Sequence, residues 1–277
     1  MPGMAKKAVR CIPLVHPFVE VLEKVEQAKH ISLFLDFDGT LVEVGPEPDA
    51  IQLGEGAHQI LNQIARMERF VTTVISGRAV EDLYSRVGVE GLIYSGNHGL
   101  EIFGRRLCFV EPVAAAETRA LQLLSEDLQG ELRCVAGARV EYKGYTTSIH
   151  YWQAAPVDRP RIEKAVRGTI ARARLPFRTR SGRKVLEVVP RTDWDKGAAV
   201  RWINEHAAGR DSLSIYVGDD VTDEDGFRAL PQGITVKVGR AAGTSARYQL
   251  QDPAAVGEFL NWLAAPEGTL PPAAGED

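Results

Sequence analysis

Six short apolar runs of strand type recur along the chain, at 31–35, 70–75, 91–94, 185–189, 213–217 and 234–238, each four to six residues long. Between several of them lie helical patterns such as Ala57, Ile60, Leu61, Ile64 and Ala65, whose i, i+3, i+4 spacing builds one apolar face. Strand, helix, strand alternation predicts a parallel sheet covered by helices, the Rossmann-like α/β class. A length of 277 residues leaves room for roughly two domains.

The middle of the chain breaks this pattern. A helical stretch at 111–128 is followed by strand-like segments at 133–135, 139–143 and 146–152, the last two joined by a tight hairpin at Gly144-Tyr145. A helical pattern returns at 158–173. An α+β segment inside a parallel α/β pattern predicts an inserted domain at 108–189, with a discontinuous core of 1–107 and 190–277. Ahead of the core, Phe18, Leu22 and Val25 suggest a helix packed on it, and the tail 266–277, rich in Pro, Gly and Ala, reads as mobile.

Composition excludes several classes. Hydrophobic residues at 44% and charged residues at 25% are ordinary for a globular protein and exclude a largely disordered chain. A net charge of -4 supplies no basic field for a nucleic acid backbone. Three scattered cysteines, Cys11, Cys108 and Cys134, form neither a disulfide framework nor a zinc knuckle. With no apolar stretch long enough to span a bilayer and no signal-type segment, the expectation is a soluble, cytoplasmic protein, not bound to a membrane. Its oligomeric state is left open, with a monomer favoured.

The chemistry is concentrated at two predicted strand ends. Asp36-Phe37-Asp38-Gly39-Thr40-Leu41 follows the run 31–35, and Gly218-Asp219-Asp220-Val221-Thr222-Asp223-Glu224 follows the run 213–217. In an open parallel sheet ligands bind beyond the carboxyl ends of the strands. Carboxylates crowded there repel one another unless a cation sits between them, and a hard divalent ion such as Mg2+ suits oxygen ligands. The competing explanation, helix capping and a solvated turn, accounts for either segment alone better than for both together. Ser76-Gly77-Arg78, after the run 70–75 and before a helical pattern at 80–87, offers a hydroxyl, a glycine N–H and a helix N-terminus to an anion. Taken alone it reads more readily as a Ser cap and a Gly turn. Lys196, at the start of another helical pattern, would set an ammonium beside that anion.

These four motifs, in this order, resemble the haloacid dehalogenase (HAD) superfamily of phosphotransferases. The resemblance implies that Asp36 is the nucleophile and Asp38 the general acid and base, with Ser76 and Lys196 holding the phosphoryl group. It also implies Mg2+ bound by Asp36, the Asp38 carbonyl and Asp219. Asp220 and Asp223 would stand behind these ligands, Asp223 orienting a metal-bound water or Lys196. The insertion lies where that superfamily carries a C2 cap, and its hairpin pattern is similar to the C2B type.

A narrower resemblance, to the trehalose-6-phosphate phosphatase family, runs from about residue 31 to 263. It is carried by Ser76-Gly77-Arg78, Gly96-Asn97-His98-Gly99, Glu141-Tyr142-Lys143 with His150-Tyr151, Lys184-Val185-Leu186-Glu187-Val188-Val189-Pro190, and the segment 218–224. Two places depart from the family's pattern: Gly96-Asn97, where Ala-Glu is usual, and Trp194-Asp195. This resemblance implies release of trehalose from trehalose 6-phosphate, and substrate contacts at Gly77, Arg78, Asn97, His98, Glu141, Lys143, His150 and Glu187. Strand alternation independently puts Arg139, Glu141 and Lys143 on one face, and Val140 and Tyr142 on the other. A sugar needs both donors and acceptors, which Glu141, Lys143, His150 and Glu187 supply. A solvated sheet face with paired charges is the competing explanation. Other readings are a phosphatase for another sugar phosphate, such as sucrose 6-phosphate or mannosyl-3-phosphoglycerate, and a non-enzymatic receiver-like phosphoacceptor.

Overall fold

Every residue of the strand that precedes Asp36 is buried, which is why its sequence is apolar on both faces apart from Ser32, whose hydroxyl hydrogen-bonds to that of Ser212 at 2.9 Å. The computed structural model describes residues 12–13, 18–45, 50–173, 176–182, 185–209, 211–240 and 242–265. The elements in chain order begin with β1 (Ile12–Pro13), α1 (Phe18–Gln27), β2 (Ile31–Asp36), α2 (Glu55–Ala65), β3 (Phe70–Ile75), α3 (Val80–Val87) and β4 (Ile93–Gly96). Then come β5 (Glu101–Gly104), β6 (Leu107–Val110), α4 (Pro112–Ala116), α5 (Thr118–Leu132), β7 (Arg139–Tyr142), β8 (Thr147–His150), α6 (Arg159–Ala173), β9 (Phe177–Gly182) and β10 (Val185–Pro190). The chain continues with α7 (Lys196–Ile203), β11 (Leu213–Gly218), α8 (Asp223–Ala229), β12 (Ile234–Val238), β13 (Tyr248–Leu250) and α9 (Pro253–Ala264). Cys11, Lys184 and the tail 266–277 lie outside the described residues, as does the side chain of Phe18. None of the described helices is long and apolar enough to cross a membrane.

Among the described residues one sheet runs in the order β1-β13-β12-β11-β2-β3-β4-β5-β6, and a second in the order β7-β8-β10-β9. In the first, β2 pairs in parallel with β3 on one side and β11 on the other. The connections run outward in opposite directions from this pair, so the carboxyl ends of β2 and β11 flank a topological switch point. The register pairs Leu35 with Val217 and Asp36 with Ile75, so the two acidic segments emerge side by side. Val21 and Val25 of α1 are buried in the core, with Leu22 packed against it.

The chain divides into two compact units, Met1–Cys108 with Asp195–Asp277, and Phe109–Trp194. All of β10 falls in the second unit, so the division comes at 194/195 rather than the expected 189/190. The second unit has its own core: Leu121, Leu124, Leu128 and Leu132 of α5 pack with Ile162 and Val166 of α6, on Ile149, Leu186 and Val188 of an antiparallel sheet. The rings of its first and last residues, Phe109 and Trp194, stack with centroids 4.8 Å apart.

Several local expectations are corrected. The segment 133–135 is not a strand: α5 ends at Leu132 and the chain turns, Val135 N–H donating to the Leu132 carbonyl at 2.9 Å while its side chain plugs the second core. The helical stretch 111–128 is two helices, broken at Glu117, with Glu111 capping the first through the Ala114 N–H at 2.7 Å. The run 91–94 enters its strand only at Ile93, because Gly91 has φ of +82°, a turn conformation. The first sheet is mixed rather than wholly parallel, since β5 pairs antiparallel with β4. β5 and β6 form a hairpin whose two loop residues, Arg105 and Arg106, both take positive φ, as a type I′ turn requires.

Candidate active site

Asp36 is the last residue of β2, and Lys196 the first of α7, whose N-cap Asp195 accepts from the Ala198 N–H at 2.8 Å. Both side chains are buried, and the Lys196 ammonium donates to Asp36 Oδ1 at 2.6 Å and to Asp223 Oδ1 at 2.7 Å. Asp223, the first residue of α8, has no exposure at all. Its Oδ1 also accepts from the Tyr216 hydroxyl at 2.8 Å, and its Oδ2 from the Asp220 N–H at 2.8 Å. With both oxygens engaged, Asp223 places Lys196. Asp220 contributes through its backbone, while its side chain is exposed. Tyr216, inside a strand that reads as plain core, is a member of this site that the sequence analysis missed.

Asp36, Asp219 and Asp223 each bring a carboxylate oxygen within 4.8 Å of the others. Glycine makes that approach possible: Gly39 has φ of +89°, and a methyl group there would overlap the Asp219 carboxylate. The Lys196 ammonium is paired with Asp36 and Asp223, and Lys237 donates to the Asp219 backbone carbonyl, so three carboxylates crowd against two cations in a largely buried volume. Burial, then Asp223, pushes the Asp36 carboxyl well above the ordinary range, and burial with Asp223 and Asp220 pushes Asp219 up to about 6. Burial works against the Lys196 ammonium, but Asp223 and Asp36 outweigh it and hold the lysine above its ordinary value. Asp219 Oδ1 and Thr40 Oγ1 are buried with no hydrogen-bond partner. An all-oxygen donor set, crowded carboxylates and orphaned oxygens fit a hard divalent cation. The expected ligand set paired Asp36 and Asp219 with the Asp38 carbonyl; the geometric cluster includes Asp223.

The Asp38 side chain turns away from this cluster. It accepts two bonds from Arg78, Nε to Oδ2 at 2.8 Å and Nη2 to Oδ1 at 2.7 Å. The segment 76–78 is stitched to 97–98 by backbone: Asn97 N–H donates to the Arg78 carbonyl at 2.7 Å, and His98 N–H to the Ser76 carbonyl at 2.9 Å. Gly77 has to be glycine for this packing, because a Cβ would lie 2.7 Å from the His98 ring. Asn97 and His98 both take positive φ, 48° and 59°. Such strain in non-glycine residues persists only where the surroundings enforce it. Asn97 is fully buried and its amide donates to Glu101 at 2.6 Å, while Glu101 also accepts from the Val80 N–H at the start of α3. Glu101 therefore ties the two loops together, and no sequence signal pointed to it. Ser76 is buried, its hydroxyl accepting from the Arg78 N–H at 3.2 Å.

In the second unit the register aligns Glu141, Ser148 and Glu187 across β7, β8 and β10, while Val140, Ile149 and Leu186 share the opposite, core-packed face. On the polar face Lys143 pairs with Glu187 at 2.8 Å, Ser148 donates to Glu187 at 3.1 Å, and His150 meets Glu141 at 2.6 Å. The bond from His150 holds Glu141 below the ordinary carboxylate range. All four expected cap residues thus share one face as two pairs.

The family model for trehalose-phosphatase matches residues 34–254. The chain belongs to this family. A trehalose-phosphate phosphatase of Mycobacterium ulcerans is 36% identical over 248 residues, covering 86% of this chain. The match spans 63% of that relative's length. A trehalose 6-phosphate phosphatase of Zea mays is 33% identical over 273 residues, covering 91% of this chain and 75% of the relative. The C-terminal domain of a C. albicans trehalose-6-phosphate phosphatase shares the fold, with a TM-score of 0.78 at 22% identity over 94% of this chain and 99% of that domain. All the acidic residues, Ser76 and Lys196 singled out above lie within the trehalose-phosphatase match.

Proposed function

We propose that this chain is a cytoplasmic Mg2+-dependent phosphatase that hydrolyses trehalose 6-phosphate to trehalose and phosphate. The observation that carries the reading is the Lys196 ammonium between Asp36 and Asp223, with the Asp219 carboxylate crowded beside them. Asp36 attacks phosphorus in line, the bond between phosphorus and the sugar's C6 oxygen breaks while the C6–O bond stays intact, and an aspartyl phosphate forms. Asp38 gives a proton to the departing alkoxide, then takes one from the water that cleaves the acyl phosphate. Lys196, Ser76 and the Gly77 N–H hold the phosphoryl oxygens, and Asp223 fixes the lysine. Asp36, Asp219 and the Asp38 carbonyl would hold Mg2+, which supplies positive charge to the phosphoryl oxygens when bound. Glu141, Lys143, His150 and Glu187 exchange their mutual bonds for bonds to sugar hydroxyls, and His98 contributes from the core unit.

Phosphate release from trehalose 6-phosphate, sucrose 6-phosphate, mannosyl-3-phosphoglycerate and glucose 6-phosphate, with Mg2+ and with Asp36→Asn as the blank, tests the reading. The expected result is a clear preference for trehalose 6-phosphate that chelator abolishes. A rate no better than on glucose 6-phosphate overturns the substrate, and full activity in excess chelator overturns the metal. Phosphate uptake by Asp38→Asn without any wild-type turnover would favour a phosphoacceptor instead.

A further inference from the structure

Arg78 was grouped above with the substrate contacts, yet its guanidinium is committed elsewhere. Nε and Nη2 fork onto both oxygens of Asp38, and Nη1 donates to Asp82 Oδ2 at 3.0 Å. Asp82 lies on α3 and is braced in turn by Arg86, whose Nε reaches both of its oxygens at 2.9 Å. Arg86 also donates to the Ile51 carbonyl, which ties the far end of this row to the loop before α2. The Arg78 guanidinium carbon lies 5.6 Å from the centroid of the Phe37 ring, the residue between the two motif aspartates. The Arg78 backbone is held as firmly, its N–H on Ser76 Oγ and its carbonyl on the Asn97 N–H.

We propose that Arg78 is a positioning residue for Asp38, at the head of a row of alternating charges Asp38, Arg78, Asp82, Arg86 that anchors the acid/base carboxylate to α3. This deepens the proposed phosphatase reading and rests on it. The Asp38 side chain keeps 33% of its exposure, so packing alone does not choose its rotamer. A general acid and base has to lie within hydrogen-bond reach of the leaving oxygen and then of the water. Two parallel bonds from a planar fork fix both position and plane of a carboxylate, which a single ammonium cannot do. Removing the fork frees Asp38 to sample rotamers, and a displacement of about 1 Å at a reacting group costs about 10²-fold in rate.

The test compares wild type, Arg78→Gln, Arg78→Lys and Asp82→Asn on trehalose 6-phosphate and on p-nitrophenyl phosphate, whose aryloxide leaves without needing a proton. On the sugar phosphate, Arg78→Gln is expected to lower kcat by about 10²-fold with KM changed by no more than about threefold, Arg78→Lys to recover part of the loss, and Asp82→Asn to lose least. On the aryl phosphate, Arg78→Gln should release a burst of p-nitrophenolate as Asp36 is phosphorylated, then turn over slowly because Asp38 is badly placed to activate water. A rise in KM with kcat preserved overturns the proposal and returns Arg78 to substrate binding. Equal losses in both phases of the aryl phosphate reaction also overturn it. A wild type that hydrolyses only the aryl phosphate overturns the sugar assignment while the burst still tests Arg78, and one inert to both removes both. If Arg78→Gln does not fold, Arg78→Lys and Asp82→Asn carry the same kcat against KM comparison.

Discussion

In the core unit Asp36 and Asp223 share the Lys196 ammonium with Asp219 crowded beside them, whereas on the polar face of the inserted sheet each carboxylate has a partner of its own, Glu141 with His150 and Glu187 with Lys143. The first cluster is buried and out of balance, so its electrostatic cost is relieved only by incoming charge. The second is closed on itself and stable when empty. It can exchange bonds with a neutral polyol without leaving a net charge stranded. On the proposed reading, the first region takes a cation and a dianion and the second distinguishes hydroxyl patterns.

The largest effect that would break this contrast is at the nucleophile. Asp36→Asn is expected to lower phosphate release by about 10⁴-fold or more. It should leave the metal-free fold at least as stable as wild type, because burial already penalises the charge it removes. Activity and thermal melting of one preparation check both halves. Lys196→Met strips the ammonium that pairs with Asp36 and Asp223, and by analogy with other broken buried pairs should cost about 3–5 kcal/mol of stability, read by denaturant unfolding. If it melts with wild type, the imbalance is not real.

On the balanced face, Glu187→Gln removes a charged acceptor from Lys143 and Ser148. Hydrogen bonds to charged groups are worth about 1.5–3 kcal/mol, so KM should rise about tenfold or more while kcat moves little. A fall in kcat alone would argue against sugar binding there. The smallest effect is on pH. Asp219 titrates at about 6 when folded against an ordinary 3.8, so the native state binds the extra proton more tightly than the unfolded chain. That stabilisation is complete below the ordinary value and is lost as pH rises through about 6. Metal-free protein should therefore melt higher at pH 5 than at pH 7. Mg2+ affinity should run the opposite way, weakening about tenfold per pH unit below about 6 because the proton competes for the ligand. Melting curves across that range, with and without Mg2+, check both signs.

The central strands and both acidic segments were legible because burial on both faces forces continuous apolar sequence, and because carboxylates placed at strand ends have few structural reasons to be there. What escaped notice lies at edges and in partner choice. β9, an edge strand, shows only Phe177 as a buried apolar residue, since edge strands need little core-facing sequence, and β5, next to the edge strand β6, exposes Phe103. Val135 looked like part of a strand because a buried turn residue and a strand residue are equally apolar. Glu101, held by the Asn97 amide and the Val80 N–H, and Tyr216, which donates to Asp223, act through partners brought close only by the fold, and no spacing rule encodes that. Arg78 was noticed, but which anion it would grip depended on the path of the loop after β2.

The stacked rings of Phe109 and Trp194 bring the two ends of the inserted unit together. A segment that leaves and re-enters at one point can be exchanged as a cassette, because the host chain sees only a short gap to be closed. If the proposed function holds, the core unit could thus be kept intact while selection, or an engineer, grafts a different module between Cys108 and Asp195 and so changes the substrate.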